Sequence, residues 1–295
     1  MKWEGQEQSK NVEDRRGQGT GGGGGLRLGG RGIGLGTIVI ALLAGWIFGI
    51  NPLTVIGVLG GEGGLAPAQV QQGPATAPPA DDKAAAFVSV VLRDTEQVWG
   101  KLLKASGSTY REPRLVLFRG VTPTACGAGE SGMGPFYCPG DAKVYLDLNF
   151  FDTLQRSMGA PGDFAQAYVV AHEVAHHLQN LMGITAKVDG MRGRVSQAQM
   201  NQLSVRVELQ ADCFAGVWAH HSQQGKGWLD RGDIEEAMNA AAKIGDDTLQ
   251  RAGQGRVVPE SFTHGSSKQR VTWFKRGLDS GSTNQCNTFD DRQPL

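Results

Sequence analysis

Residues 167–183, AYVVAHEVAHHLQNLMG, put three of the chain's six histidines and a glutamate into an otherwise apolar run. Imidazole and carboxylate groups are costly to bury unless something pairs with them. His172 and His176 stand four apart, so in a helix their rings share one face. This H-E-x-x-H spacing lets both rings reach one zinc ion at about 2.0–2.1 Å. Glu173 lies about 100° further round the helix, where it meets a water at the metal rather than the metal itself. His177 points away from that face and is left out of the ligand set.

A catalytic zinc takes three protein ligands and keeps one position open. The extension H-E-x-x-H-x-x-G-x-x-H does not supply the third, because Gln179 and Met182 stand where its glycine and histidine belong. A second helix can. In SVRVELQADCFAGVWAH, Glu208 and Asp212 lie one turn apart among Val205, Val207, Leu209, Ala211 and Phe214, surroundings that normally exclude unpaired acids. Glu208 is the candidate third ligand, and Asp212 the acceptor for a ligand histidine's other ring nitrogen. SFTHGSSKQRVTWF adds His264 and Arg270 ahead of a short helix. Either could steady the oxyanion of a tetrahedral intermediate; equally, the serines could be an N-cap and Arg270 the partner of a buried acid. His220 and His221 read as exposed.

The elements that must hold these groups follow from periodicity. Asp163 can cap the helix of the first motif, and Gly183 suits the position just past its end. Helical spacing continues over about 196–222, 233–250 and 267–277, and an earlier helix runs through Phe87, Val91 and Trp99 towards Gly107. RLVLFRGV and KVYLDLNF read as strands on either side of a loop rich in Gly, Pro and Cys. KVYLDLNF is a candidate strand for pairing with an extended substrate. The sum is an α+β domain with a small sheet and a larger helical part.

Cys126, Cys138, Cys213 and Cys286 contain no C-x-x-C pair, which argues against a zinc ribbon or a thioredoxin-like centre. Four cysteines allow three pairings. Cys126 with Cys138 closes the shortest loop and is expected first, with Cys213–Cys286 second.

Lys+Arg and Asp+Glu both total 29, so no net charge favours nucleic acid as a partner. Glycine is abundant at 44, much of it in the first sixty residues. Residues 1–32 show no hydrophobic period and read as a disordered arm. No charge occurs between Arg31 and Glu62, and a bilayer-crossing helix needs about 20 apolar residues. Residues 33–59 therefore read as one transmembrane anchor rather than a cleaved signal, whose apolar core is shorter and nearer the start. Residues 60–80 form a Pro/Ala/Gln linker, and the domain occupies 81–295. Lys2, Lys10, Arg15, Arg16, Arg27 and Arg31 precede the anchor and acids follow it. On that count the N-terminus is cytoplasmic and the domain periplasmic or extracellular, where disulfides persist.

The stretches NVEDRRG, GPFYCP, HEVAHHLQ, ELQADCFAGVWAH, GDIEEA, IGDD and SFTHGSSKQR, with the single apolar run, together resemble the bacterial neutral zinc metallopeptidase family. The resemblance covers nearly the whole chain. It implies a zincin-like metallopeptidase domain of the gluzincin type binding one catalytic Zn2+, with His172, His176 and Glu208 as ligands and Glu173 as catalytic base. His264 to Arg270 is also similar to the HPxxxxR element of membrane-anchored gluzincins, with Gly265 in place of the proline. The expectation is a membrane-anchored zinc endopeptidase acting on peptides or proteins, its anchor in the lipid bilayer and no nucleic acid involved. The alternatives are a zinc-stabilised envelope scaffold, for which a base at Glu173 has no use, and a zinc hydrolase of a non-peptide amide.

Overall fold

The structure is a computed structural model, and it describes residues 1–17, 76–290, 292 and 295. The anchor expected at 33–59, residues 18–32 of the expected arm and most of the expected linker lie outside the described residues. Among those described, no helix is long and apolar enough to cross a membrane.

In chain order the body comprises β1 (Val12–Asp14), α1 (Lys83–Ala105), β2 (Arg114–Phe118), β3 (Val121–Thr124), β4 (Gly127–Glu130), β5 (Phe136–Cys138) and β6 (Lys143–Asp147). Then come the short α2 (Asn149–Asp152), α3 (Asp163–Leu181), α4 (Ile184–Asp189), α5 (Gln197–Lys226), α6 (Asp233–Lys243), α7 (Asp246–Gln254) and α8 (Ser267–Ser280). Four strands form one sheet in the order β1-β2-β6-β5. β1, β2 and β6 run parallel, and β5 closes the edge antiparallel to β6.

Alternation along the strands divides the side chains between two faces. Leu115, Leu117, Val144 and Leu146 enter the main core with α1, α3 and α5, while Val116, Phe118, Tyr145 and Cys138 form a smaller cluster on the other face. The β3–β4 hairpin approaches that second cluster so closely that a side chain at Gly129 would strike the Phe136 ring.

The first 17 residues depart from the sequence reading, which put them in a disordered arm. Val12–Asp14 add a strand to the sheet, pairing with Leu115–Leu117, and Val12, Glu13 and Asp14 are buried. Ser9 and Asn11 donate to Glu96 on α1 at 2.6 and 2.8 Å, and Trp3 packs edge-on against Phe87. Three strand residues are too few to show a period, and their partners lie a hundred residues away. That is why the polar sequence hid them.

The helices begin largely where their caps require. Asp82 accepts from Ala85 N at the start of α1, and Ser196 with Gln199 and Ser266 with Gln269 form capping boxes on α5 and α8. α3 is different: Gly162 is its N-cap, and Asp163 binds the Met1 ammonium at 2.8 Å instead of capping. Gly183 follows the end of α3 at φ +71°, as expected. The expected helix over 233–250 is two helices, broken at Ile244–Gly245, because Asp246 and Asp247 turn to bind the segment that enters α8.

α5 and α8 meet backbone to backbone. A Cβ on Gly216 would lie 2.0 Å from Phe274 O, and one on Gly277 would lie 1.9 Å from Cys213 O. Both disulfides form as read, Cys126–Cys138 and Cys213–Cys286.

Candidate metal centre

α3 and α5 cross with His172, His176 and Glu208 turned towards each other. His172 Nε2 lies 3.2 Å from His176 Nε2 and 3.1 Å from Glu208 Oε2, and His176 Nε2 lies 3.5 Å from Glu208 Oε1. Ligands at about 2.0–2.1 Å on a tetrahedral ion are about 3.3–3.4 Å apart. The three separations bracket that value, so the residues fit the ion.

The protons on the far side of each ring reinforce the fit. His172 Nδ1 is 2.9 Å from Asp212 Oδ1, and a carboxylate can only accept there. His176 Nδ1 is 2.8 Å from Gln179 Oε1. The amide of Gln179 is oriented by its other end, where Nε2 donates to Val207 O at 2.7 Å and to Gln210 Oε1 at 3.1 Å. Gln210 in turn donates to Cys286 O at 3.0 Å. Both histidines therefore carry a proton on Nδ1, which leaves Nε2 of each ring as the atom that can bind a metal beside the Glu208 carboxylate. Three acceptors converging at hydrogen-bond distance call for a cation between them.

With these residues alone, a proton takes the place of the cation. Burial opposes charge on His172, yet Asp212 and Glu208 outweigh it and push its pKa up to about 9. Burial likewise works against ionised Glu208, but His176 and His172 hold its carboxyl well below the usual range.

Asp212 is fully buried and saturated. It accepts from Tyr168 Oη at 2.5 Å and from Arg270 through Nε and Nη2, both at 2.9 Å. Arg270 is thus the lock on Asp212, and its Nη1 also donates to Ile244 O at 3.3 Å. This is the buried-acid partnership that the sequence left open for it. Burial raises the Asp212 pKa, but Arg270 and His172 bring it below its ordinary value.

Glu173 is buried beside the cluster, and burial raises its pKa despite His176 and His172 nearby. His264 stands on the wall of the same cleft, half exposed, and lies outside the ligand cluster. Asp246 holds it: Oδ1 is 3.1 Å from His264 Nδ1, and Oδ2 accepts from the backbone N–H groups of Thr263, His264 and Gly265. That hydrogen bond raises the His264 pKa. Gly265 sits at φ +94°, a conformation closed to proline, whose φ is fixed near −65°.

Tyr168, Gln179, Gln210 and Asp246 were not identified as site residues from sequence. Asp246 belongs to the quoted IGDD stretch, and Gln179 was noticed only as the residue replacing a glycine. His177 turns away as expected: it lies 2.6 Å from Arg111 O and 3.0 Å from Tyr137 Oη, tying β5 to α3. His220 and His221, read as exposed, are half-buried against Leu278 O and Gly281 O.

The centre opens into a cleft of about 1130 Å³, lined by Phe136, Tyr137, Phe150, Val169, Leu249 and His264 among others. Small-molecule pockets span roughly 300–1,000 Å³, so the cleft has room for more than a small ligand. β6, considered for substrate pairing, lies between β2 and β5 with both sides taken; β5 is the sheet edge that reaches the cleft.

The YpfJ protein of Escherichia coli (strain K12) is 53% identical over 293 residues, covering 98% of this chain and 99% of that protein. The Rv2575 protein of Mycobacterium tuberculosis (strain ATCC 25618 / H37Rv) is 42% identical over 205 residues, 66% of this chain and 67% of its own. No solved structure matches the chain. A family model described as "Putative neutral zinc metallopeptidase" matches residues 1–289, and with relatives this similar over nearly its full length the chain belongs to that family.

Proposed function

We propose that this protein is a zinc-dependent endopeptidase that hydrolyses peptide bonds of extended substrates in the cleft, and that residues 33–59 attach it to a lipid bilayer. The observation that carries the reading is the convergence of two imidazole Nε2 atoms and a carboxylate, with Glu173 buried beside them. Bound there, zinc would supply Lewis-acid polarisation of a water and of the scissile carbonyl.

The chain's own residues do the rest. Asp212 and Gln179 hold the two rings in the tautomer that binds metal. Arg270 and Tyr168 hold Asp212. Glu173 takes a proton from the attacking water and passes it to the leaving amine, and its raised pKa brings it closer to the working pH of such a base. His264, oriented by Asp246 through Nδ1, offers Nε2–H from the cleft wall to the developing oxyanion in the imidazolium form that Asp246 favours. β5, the free edge beside α3, is positioned to pair with an extended peptide.

The deciding experiment combines metal content with hydrolysis of an unbiased peptide library, using Glu173→Gln as control. Expected are about one zinc per chain in both proteins and cleavage by the wild type only. Zinc binding without cleavage of any peptide by the wild type would leave the scaffold reading standing. Cleavage that survives in Glu173→Gln would remove that residue as the base.

A further inference from the structure

The two ends of the stretch 18–75 are tied together. Before it, β1 is hydrogen-bonded into the sheet beside β2, with Leu115 N donating to Asn11 O at 2.9 Å and Arg15 N donating to Leu117 O at 2.8 Å. After it, Thr76 meets the same strand. Asp14 N donates to Thr76 O at 2.7 Å, and Thr76 Oγ1 donates back to Asp14 O at 2.9 Å. Arg16 clamps the junction, binding Asp14 through Nε at 2.9 Å and Asp82, the cap of α1, through Nη1 at 2.6 Å. The chain leaves the body and returns to it at one point of one sheet edge.

A single crossing between those points contradicts this pairing. Adjacent strands lie about 4.8 Å apart, whereas the hydrocarbon core of a bilayer is about 30 Å thick. A strand on one side of a membrane cannot pair with a sheet on the other. Residues 33–59 are also too few for two full crossings at about 20 residues each.

Two of the six basic residues counted ahead of the anchor are taken up by the fold. Arg15 is paired with Glu13, and Arg16 with Asp14 and Asp82; their side chains are only 9% and 11% exposed. Arginines buried in ion pairs of a folded sheet are not free flanks of a membrane segment. An independent compartment signal is the disulfide pair, with no free cysteine left.

We infer that residues 1–17 and the metal-binding body lie on the same, oxidising face of the membrane. This inference rests on the proposed attachment to a bilayer and is independent of the peptidase reading.

The wild-type full chain tests it without substitution, because Lys10 and Lys101 are both exposed. Intact spheroplasts expressing the protein are treated with a membrane-impermeant amine-reactive ester, and the peptides carrying the two lysines are quantified by mass spectrometry before and after permeabilisation. Both lysines should be labelled to near completion in the intact spheroplasts, while cytoplasmic control proteins stay unlabelled. Labelling of Lys101 with protection of Lys10, or the reverse, overturns the inference in favour of a single crossing. Protection of both until permeabilisation overturns the oxidising-face assignment. No outcome depends on catalysis, so failure here and failure of the peptidase reading are distinguishable.

Discussion

At the scale of single residues, the site separates ligand, base and support, and each role has its own signature. Glu208→Ala removes a ligand oxygen and should show the largest loss of zinc, measured by competition with a chromogenic chelator. Asp212→Asn and Gln179→Leu keep all three ligands but release one ring each, for which about 10–100-fold in affinity is typical. Gln179→Glu, which retains an acceptor for His176 Nδ1, should recover most of the Gln179→Leu loss. A loss as deep as that of Glu208→Ala from either support variant would make that residue a ligand in its own right. Glu173→Gln should bind zinc like the wild type and hydrolyse nothing. His264→Ala should keep the metal and lower kcat by about 100-fold, read from steady-state kinetics with metal content measured alongside.

At the scale of elements, two contacts hold the site's supports in place. The first is the close approach of α5 and α8 at Gly216 and Gly277, where an added Cβ would collide with backbone. Gly216→Ala should cost about 1–3 kcal/mol or more, as overpacking does. It should also push Arg270 away from Asp212, so a lowered melting temperature and weakened zinc affinity are expected together. Stability lost with zinc affinity intact would separate the two helices' packing from the support of the site.

The second contact is the docking of residues 1–17. Burial raises the pKa of Glu13, but Lys143, Arg114 and Arg15 bring it below its ordinary value, while Arg16 lowers Asp14. Burial also opposes Asp82, which Ala85 N–H and Arg16 bring down. A carboxyl whose folded pKa is depressed stabilises the fold above its unfolded pKa and loses that contribution as pH falls through the folded one. Docking of β1 should therefore hold at neutral pH and weaken below about pH 4, visible as faster amide exchange at Val12–Asp14. Exchange there that stays unchanged through the acid range would show that backbone pairing alone holds the strand.

At the scale of the whole molecule, the metal-binding residues join α3 to α5, and the Cys213–Cys286 bridge fastens the end of the chain to α5. A ligand that binds only the folded state stabilises it by about 4 kcal/mol at a thousand times its dissociation constant. Stripping zinc with a chelator should therefore lower the melting temperature, and added zinc should restore it in wild type and Glu173→Gln but not in Glu208→Ala. An unchanged melting temperature in the wild type would mean that these residues bind no zinc in solution.

The sequence by itself pointed to His172, His176 and Glu208 as a group able to hold a metal, to Glu173 and Asp212 beside them, and to most helices, and it ranked first the cysteine pairing that forms without excluding the others. Those signals are local: a four-residue spacing on one helix face, acids stranded in an apolar run, and capping serines. Only the tertiary structure decided what crosses between elements. It turned Arg270 from a candidate at the reaction into the lock on Asp212. It showed that Gln179 and Gln210 fix the tautomer of His176, and that Asp246 holds His264. It moved Val12–Asp14 from a disordered arm into the sheet, and took Arg15 and Arg16 out of the count of free charges. Pairings across tens to hundreds of residues leave no period in the chain, because the groups that satisfy one another become neighbours only when the backbone folds.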